Sequence, residues 1–129
     1  MNESKFNSQV CTTKEQSQHL LDLGLKPETA DMVQIDGSWI YIIDKYIPYE
    51  DYIPAWSLHR LKCLLPTKIP YESGYLTIEI INNVNLMFIT DTTEQRVISF
   101  IHENLYESMI KCIKWLIKEG YFYEEYLKQ

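Results

Sequence analysis

The chain has 129 residues, of which 46% are hydrophobic, 13% aromatic and 23% charged. This length predicts one domain over residues 1–129. The balance of apolar and charged residues excludes a disordered tail, a collagen-like chain and a disulfide-bonded miniprotein. A net charge of −6 argues against nucleic-acid backbones and anionic membranes as partners, since both attract Lys and Arg. The unusual feature is aromatic: ten Tyr, four Phe and three Trp accompany only four Gly.

Composition also sets an expectation for the compartment. Residues 1–9 are polar and lack the apolar core of a signal peptide, and no stretch approaches the roughly 18 apolar residues that span a bilayer. The cysteines Cys11, Cys63 and Cys112 are far apart and lack the close pairing that zinc sites usually show. We therefore expect a cytoplasmic protein whose reduced cysteines serve as small buried or half-buried hydrophobes.

Hydrophobic periodicity and turn residues divide the chain into helices and strands. After a frayed lead-in over 1–11, the predicted elements are a helix over 13–23, a short helix over 27–32, a strand over 39–43, a loop over 46–54, a helix over 55–65, strands over 75–81, 86–90 and 96–102, and a last helix from 104 to about 119. Strands in succession with helices apart indicate an α+β fold, in which a mostly antiparallel sheet of about four strands packs against helices.

Capping residues support the two outer helices. Thr12 and Glu15 have the spacing of a capping box, and Gly24 has the position of a Schellman stop. Asn104 and Gly120 have the corresponding roles in the last helix. That helix is predicted to be the main core helix, because its apolar residues fill one broad face. These residues are Leu105, Tyr106, Met109, Ile110, Cys112, Ile113, Leu116 and Ile117.

The middle helix is less conventional because it has two non-polar sides. Trp56, His59 and Cys63 lie nearly opposite a face of leucines. Such a helix is either sandwiched between layers or offers one side to a partner. The leucines are Leu58, Leu61, Leu64 and Leu65.

Aromatic residues gather just before this helix. Tyr and Trp are enriched at protein interfaces, because they bury a large rigid area and keep one polar tip. Either these rings cap a small sheet and fill the edges of the core, or they bind a protein or a small planar ligand. The second interpretation defines a candidate interaction surface that consists of Trp39, Tyr41, Tyr46, Tyr49, Tyr52, Trp56, His59 and Cys63.

The nearest approach to an active site is the pair His59 and Cys63, since residues four apart adjoin on a helix. A histidine beside a cysteine can activate the thiol as a nucleophile. A helix interior, however, has no spare backbone amides to form an oxyanion hole. The chain also lacks the glycine motifs that bind phosphate. We therefore predict no catalytic, cofactor-binding or metal-ligating residue and no cofactor.

Several strings carry a resemblance to other proteins. The most distinctive are L-G-L-x-P-E-T-A-D-M at 23–32, P-A-W-S-L at 54–58 and the pair W-L-I and E-G-Y at 115–121. In these strings the chain resembles a group of small proteins from phages and from integrated or conjugative elements of Bacteroidetes-type bacteria. The resemblance implies an accessory role in a mobile element and a cytoplasmic setting. It implies no activity, ligand or catalytic residue.

Two functional hypotheses follow. In the first, the chain is a non-enzymatic interaction module that binds a protein partner, or a second copy as a homodimer, through the candidate interaction surface. It binds neither nucleic acid nor membrane directly. In the second, the chain is a small-molecule-binding or enzymatic domain with an aromatic pocket near Trp56, His59 and Cys63, between the sheet and the middle helix.

Overall fold

A computed structural model describes the chain at residues 9–35, 38–41 and 52–128. In chain order the helices and strands are α1 (Lys14–Asp22), β1 (Met32–Ile35), β2 (Ser38–Tyr41), β3 (Ile53–Ala55), α2 (Leu58–Leu64), β4 (Ile69–Tyr71), β5 (Gly74–Ile80), β6 (Val84–Ile89), β7 (Glu94–Phe100) and α3 (Leu105–Lys118). Single 3-10 turns occupy Pro27–Thr29 and Glu124–Tyr126. Within these ranges, no helix has the length and apolar character needed to cross a membrane.

The described strands form two antiparallel sheets. The smaller has the order β2-β1-β3, and the larger has the order β4-β5-β6-β7. The α+β class and a four-stranded antiparallel sheet are therefore confirmed. The second sheet was not predicted, because the strand expected at 39–43 pairs with β1 and does not join the larger sheet.

The smaller sheet contains the main corrections to the predicted elements. The short helix expected to reach Met32 ends at Thr29, and Met32 instead begins β1, where it and Val33 are fully buried. The predicted loop over 46–54 gives way at Ile53–Ala55 to a strand in which Pro54 lies opposite Val33. Proline is tolerated there because β3 is an edge strand of this sheet, so that no second ladder needs its missing N–H.

Some predicted elements cannot be placed. The Asp36-Gly37 turn and residues 42–51 of the predicted strand and loop lie outside the described residues. The lead-in is described from Gln9 onward, and there it is not frayed. Cys11 is buried, and the Gln9 amide donates to the side-chain oxygen of Gln16 in α1 at 2.7 Å.

The caps follow the predicted chemistry with one shift in position. Thr13, and not Thr12, begins α1, and it forms a capping box with Gln16 in place of Glu15. Thr12 is fully buried and bonds inward. The Schellman stops at Gly24 and Gly120 are confirmed. These glycines have φ of +105° and +78°, and the amide after each donates to the carbonyl five residues earlier, at 3.2 and 2.8 Å.

The main core lies between α3 and the larger sheet. α3 contacts β6, β7, α1 and α2. Its predicted core face is confirmed, with six of the eight residues buried and Leu105 and Ile117 half-buried. Lys111, Lys114 and Lys118 on the opposite side are exposed. The wide apolar face lets one helix cover the sheet and hold the other two helices around it.

Candidate functional site

Trp56 lies in the core and not on the surface we predicted for it. Its side chain is fully buried, and its indole Nε1–H donates to Thr29 Oγ1 at 3.0 Å. Its backbone is bonded to Thr12 twice: the Thr12 amide donates to the Trp56 carbonyl at 2.9 Å, and the Trp56 amide donates to Thr12 Oγ1 at 3.0 Å. The helical spacing used for the prediction does not apply, because Trp56 precedes the N-cap of α2.

Ser57, the residue after Trp56, is the N-cap of α2 and fixes where this helix begins. As the N-cap it accepts the Arg60 amide at 3.1 Å, while its own hydroxyl and amide donate to the Asp31 carboxylate. The two bonds to Asp31 tie the start of α2 to the segment before β1. Leu61 and Leu64 then face the core as predicted, so the opposite side of the helix faces outward.

His59 and Cys63 are brought together on that outward side, as their spacing predicts. Both are exposed, and His59 Nε2 lies 3.5 Å from Cys63 Sγ. They form a pair of nitrogen and sulfur atoms that a solute can reach. The pair is separated from Trp56, so these three residues do not form one continuous surface.

The other aromatic residues of the candidate interaction surface contribute less. Trp39 and Tyr41 belong to β2, in register with Gln34 and Met32 of β1. Tyr52 is half-buried just before β3. Their place in an interaction surface stays a prediction. Residues 46 and 49, the remaining two tyrosines of the set, lie outside the described residues.

The three cysteines fall into two environments. Cys11 and Cys112 are buried, as predicted, whereas Cys63 is exposed. Burial raises the pKa of the Cys112 thiol from 9.0 to about 12. Burial also raises the pKa of Cys11, an effect reinforced by the charge of Asp31 and opposed by a hydrogen bond from Gln34. Cys63 is therefore the cysteine with the access that chemistry requires.

Two concavities of the described surface lie away from this pair. One, of about 460 Å³, runs along the exposed side of α1. Another, of about 170 Å³, lies between the end of α2 and β5. Neither is lined by Trp56, His59 or Cys63. The aromatic pocket of the second hypothesis stays a prediction.

A different surface, which the sequence did not single out, lies along β7. β7 ends the order of the larger sheet, so within the described residues its outer edge has no paired strand. Residues 94–97 are all exposed, and Val97 is 41% exposed at the point where the β6–β7 register shifts. Ile101, directly after the strand, is 67% exposed.

A second isoleucine provides a comparison for Ile101. The register places Ile80, Val84 and Phe100 in one row across β5, β6 and β7. Ile81 and Ile101 each follow this row by one residue, so they lie at the same end of the sheet with equal exposure of 67%. Only Ile101 continues the edge strand. The largely apolar β-forming run V-I-S-F-I at 97–101 was the available signal, but strand order is needed to recognise an edge.

Comparisons with known proteins give no further assignment. The chain matches no protein-family model, no curated protein and no solved structure. The surfaces described above therefore carry the functional argument.

Proposed function

We propose that this chain is a non-enzymatic interaction module, and that a protein partner binds it by adding a strand to the outer edge of β7. The observation that carries the proposal is the outer edge of β7, which has no paired strand in the part of the chain that the structure describes, with Val97 and Ile101 exposed beside it. The sequence resemblance supports an accessory role in a phage or mobile element. We propose a cytoplasmic setting on the same basis.

The edge has both components that strand addition uses. Unpaired backbone N–H and C=O groups supply hydrogen bonds, and exposed side chains at alternate positions supply selectivity. Directly after β7, the Ile101 carbonyl accepts a hydrogen bond from Lys111 Nζ at the long distance of 3.5 Å. A backbone amide of an added strand would donate to this carbonyl at about 2.9 Å, which is a stronger hydrogen bond than the contact with Lys111.

The two halves of β7 have different roles in this proposal. Glu94 and Arg96 are exposed charges, and charges on an edge oppose indiscriminate pairing. The irregularity in register at Val97 has the same effect on the first half of the strand. The uncharged half, residues 97–100, with Ile101 directly after it, then remains as the docking edge, and the charged half limits aggregation.

These charges also define the partner. Asp91 and Glu94 are exposed where β7 begins, and the whole chain carries a net charge of −6. Complementary charge favours encounter and register. The partner segment is therefore extended, apolar at alternate positions to meet Val97 and Ile101, and basic at the end that approaches Glu94.

A peptide selection tests the proposal. Random peptides displayed on phage are selected on the immobilised chain in the presence of a metal chelator, and synthetic copies are titrated by calorimetry. We expect extended peptides with alternating apolar residues and a basic end. Ile101→Lys should weaken their binding at least tenfold. Ile81→Lys is the matched control, because Ile81 is equally exposed at the same end of the sheet but does not belong to the edge.

Each other outcome counts against the proposal. Failure to select any peptide, or binding that Ile101→Lys does not change, would remove the β7 edge as the docking site. Self-association that disappears in Ile101→Lys would assign the edge to a second copy of the chain and overturn the peptide partner. Circular dichroism of both lysine variants verifies that the fold is retained.

A further inference from the structure

The structure assigns a second, independent site to the exposed side of α2: we propose that His59 and Cys63 chelate Zn²⁺ as half of a His₂Cys₂ site, which a second copy of the chain completes. The site does not depend on the β7 edge. Its ligands are the imidazole Nε2 of His59 and the thiolate Sγ of Cys63.

The distance between the two ligand atoms fits one zinc ion. Zn–N bonds of about 2.0–2.1 Å and a Zn–S bond of about 2.3 Å at the tetrahedral angle require an N···S separation of about 3.5–3.6 Å. The observed separation of Nε2 and Sγ is 3.5 Å. Both side chains are exposed, so an ion reaches the pair without any change in the core. One turn of helix therefore holds two ligands at the required spacing before the ion arrives.

The coordination number calls for a second copy. Closed zinc sites in proteins are almost always four-coordinate. Among the described residues, no group of three or more His, Cys, Asp or Glu side chains comes together, so this pair supplies two of four ligands. A second copy related by a two-fold axis supplies the same two again. Identical pairs around one ion give the closed symmetry that most homodimers have.

The proton and charge balance sets the conditions for binding. Zn²⁺ binds the thiolate, so each Cys63 Sγ–H releases its proton to solvent, and two protons leave for each bound ion. Arg60 and Lys62, on the same helix, oppose a dication, and the two thiolates offset its charge. Binding should therefore weaken as the pH falls, because protons compete for the sulfur and nitrogen atoms.

Cobalt and zinc titrations of the full chain test this site. The reduced, metal-free chain is titrated with Co²⁺, and thiolate-to-cobalt charge-transfer absorption is followed. Light scattering gives the molar mass with and without Zn²⁺. We expect saturation at one ion per two chains, tetrahedral cobalt absorption, and zinc-dependent conversion of monomer to dimer. Cys63→Ser and His59→Ala should each reduce affinity by more than about 100-fold, beyond what loss of an outer-shell partner costs.

Matched controls separate this site from other sources of metal binding. His19→Ala removes an exposed histidine of α1 and should leave the titration unchanged. Ile101→Lys should also leave it unchanged, so failure of the β7 proposal and failure of this one are distinguishable. Absence of the charge-transfer absorption, equal affinity in Cys63→Ser, or one ion per monomer would each overturn the proposal. The variants are at exposed positions, and circular dichroism verifies their fold.

Discussion

Replacing Trp56 with alanine should destabilise the fold severely, in contrast to what an interface residue would do. The side chain is fully buried, and its indole N–H bonds Thr29. Its backbone bonds Thr12, so the ring lies where the N-terminal segment, the turn before β1 and α2 meet. A large cavity at this junction would loosen three parts of the chain at once.

The expected magnitude follows from these contacts. Truncating a buried Trp or Phe to Ala costs about 3–5 kcal/mol, through lost burial and the cavity left behind. The lost indole hydrogen bond adds about 1 kcal/mol. Thr29 Oγ1 still donates to the Lys26 carbonyl at 2.7 Å, so its hydroxyl keeps one partner. The total of about 4–6 kcal/mol is comparable to the whole stability of a small domain, about 5–15 kcal/mol.

Urea and thermal unfolding provide the measurement. Trp56→Ala should lower the free energy of unfolding by about 4–6 kcal/mol or prevent folding, whereas Trp56→Phe, which keeps most of the apolar ring, should lose about 1–2 kcal/mol. Trp115→Ala is the control of the same residue type. Trp115 is half-buried, with Phe100 and Tyr121 beside it, and its loss should be smaller. A Trp56→Ala chain that unfolds within about 1 kcal/mol of the original would refute the assignment of Trp56 to the core.

Three further substitutions test the packing elsewhere. Ser108 is buried in α3, and its Oγ has no hydrogen-bond partner within the described residues. Ser108→Ala should therefore raise the free energy of urea unfolding by about 1 kcal/mol, and a loss of stability would contradict this. A Cβ at Gly74 would lie 2.1 Å from the Ile89 carbonyl oxygen, so Gly74→Ala should cost at least about 1–3 kcal/mol in the same assay; an unchanged midpoint would contradict it. Because the pKa of Cys112 is raised, its thiol proton leaves the unfolded chain near pH 9 and the folded chain near pH 12. Between these values the thiol lowers the free energy of unfolding by about 1.4 kcal/mol for each pH unit. Cys112→Ala should flatten that slope, and an identical slope in both chains would exclude Cys112 as its source.

The sequence predicted best where local chemistry decides the structure. Gly24, Asn104 and Gly120 end or begin helices as expected, because capping needs only a residue and its neighbours within one turn. The core face of α3 was predictable for the same reason, since helical periodicity over 14 residues defines one side. The prediction for Trp56 was wrong because helical spacing applies only from Leu58 onward, after the N-cap Ser57.

The many aromatic residues occupy several different places in the fold, and composition could not predict which places. Trp56 fills the core, and three other rings lie in series, those of Phe100 in β7, Trp115 in α3 and Tyr121 after α3. The segment after α3 is held against the end of α1 by its backbone, because the Tyr126 carbonyl accepts the Lys26 amide at 2.9 Å. Aromatic residues thus join segments that are distant in sequence, and no local pattern shows which segments meet.

Strand order could not be predicted from the sequence, and the proposed function depends on it. A β-forming run such as 97–101 would be an ordinary buried strand at the centre of a sheet, where both ladders are occupied. The same run lies along an open edge when its strand is last in the order, as β7 is among the described strands. Pro54 illustrates the converse: proline lacks the N–H that a central strand needs, and Pro54 is tolerated because β3 is an edge of its sheet. Both outcomes depend on which strand has a free side, and tertiary pairing alone determines that.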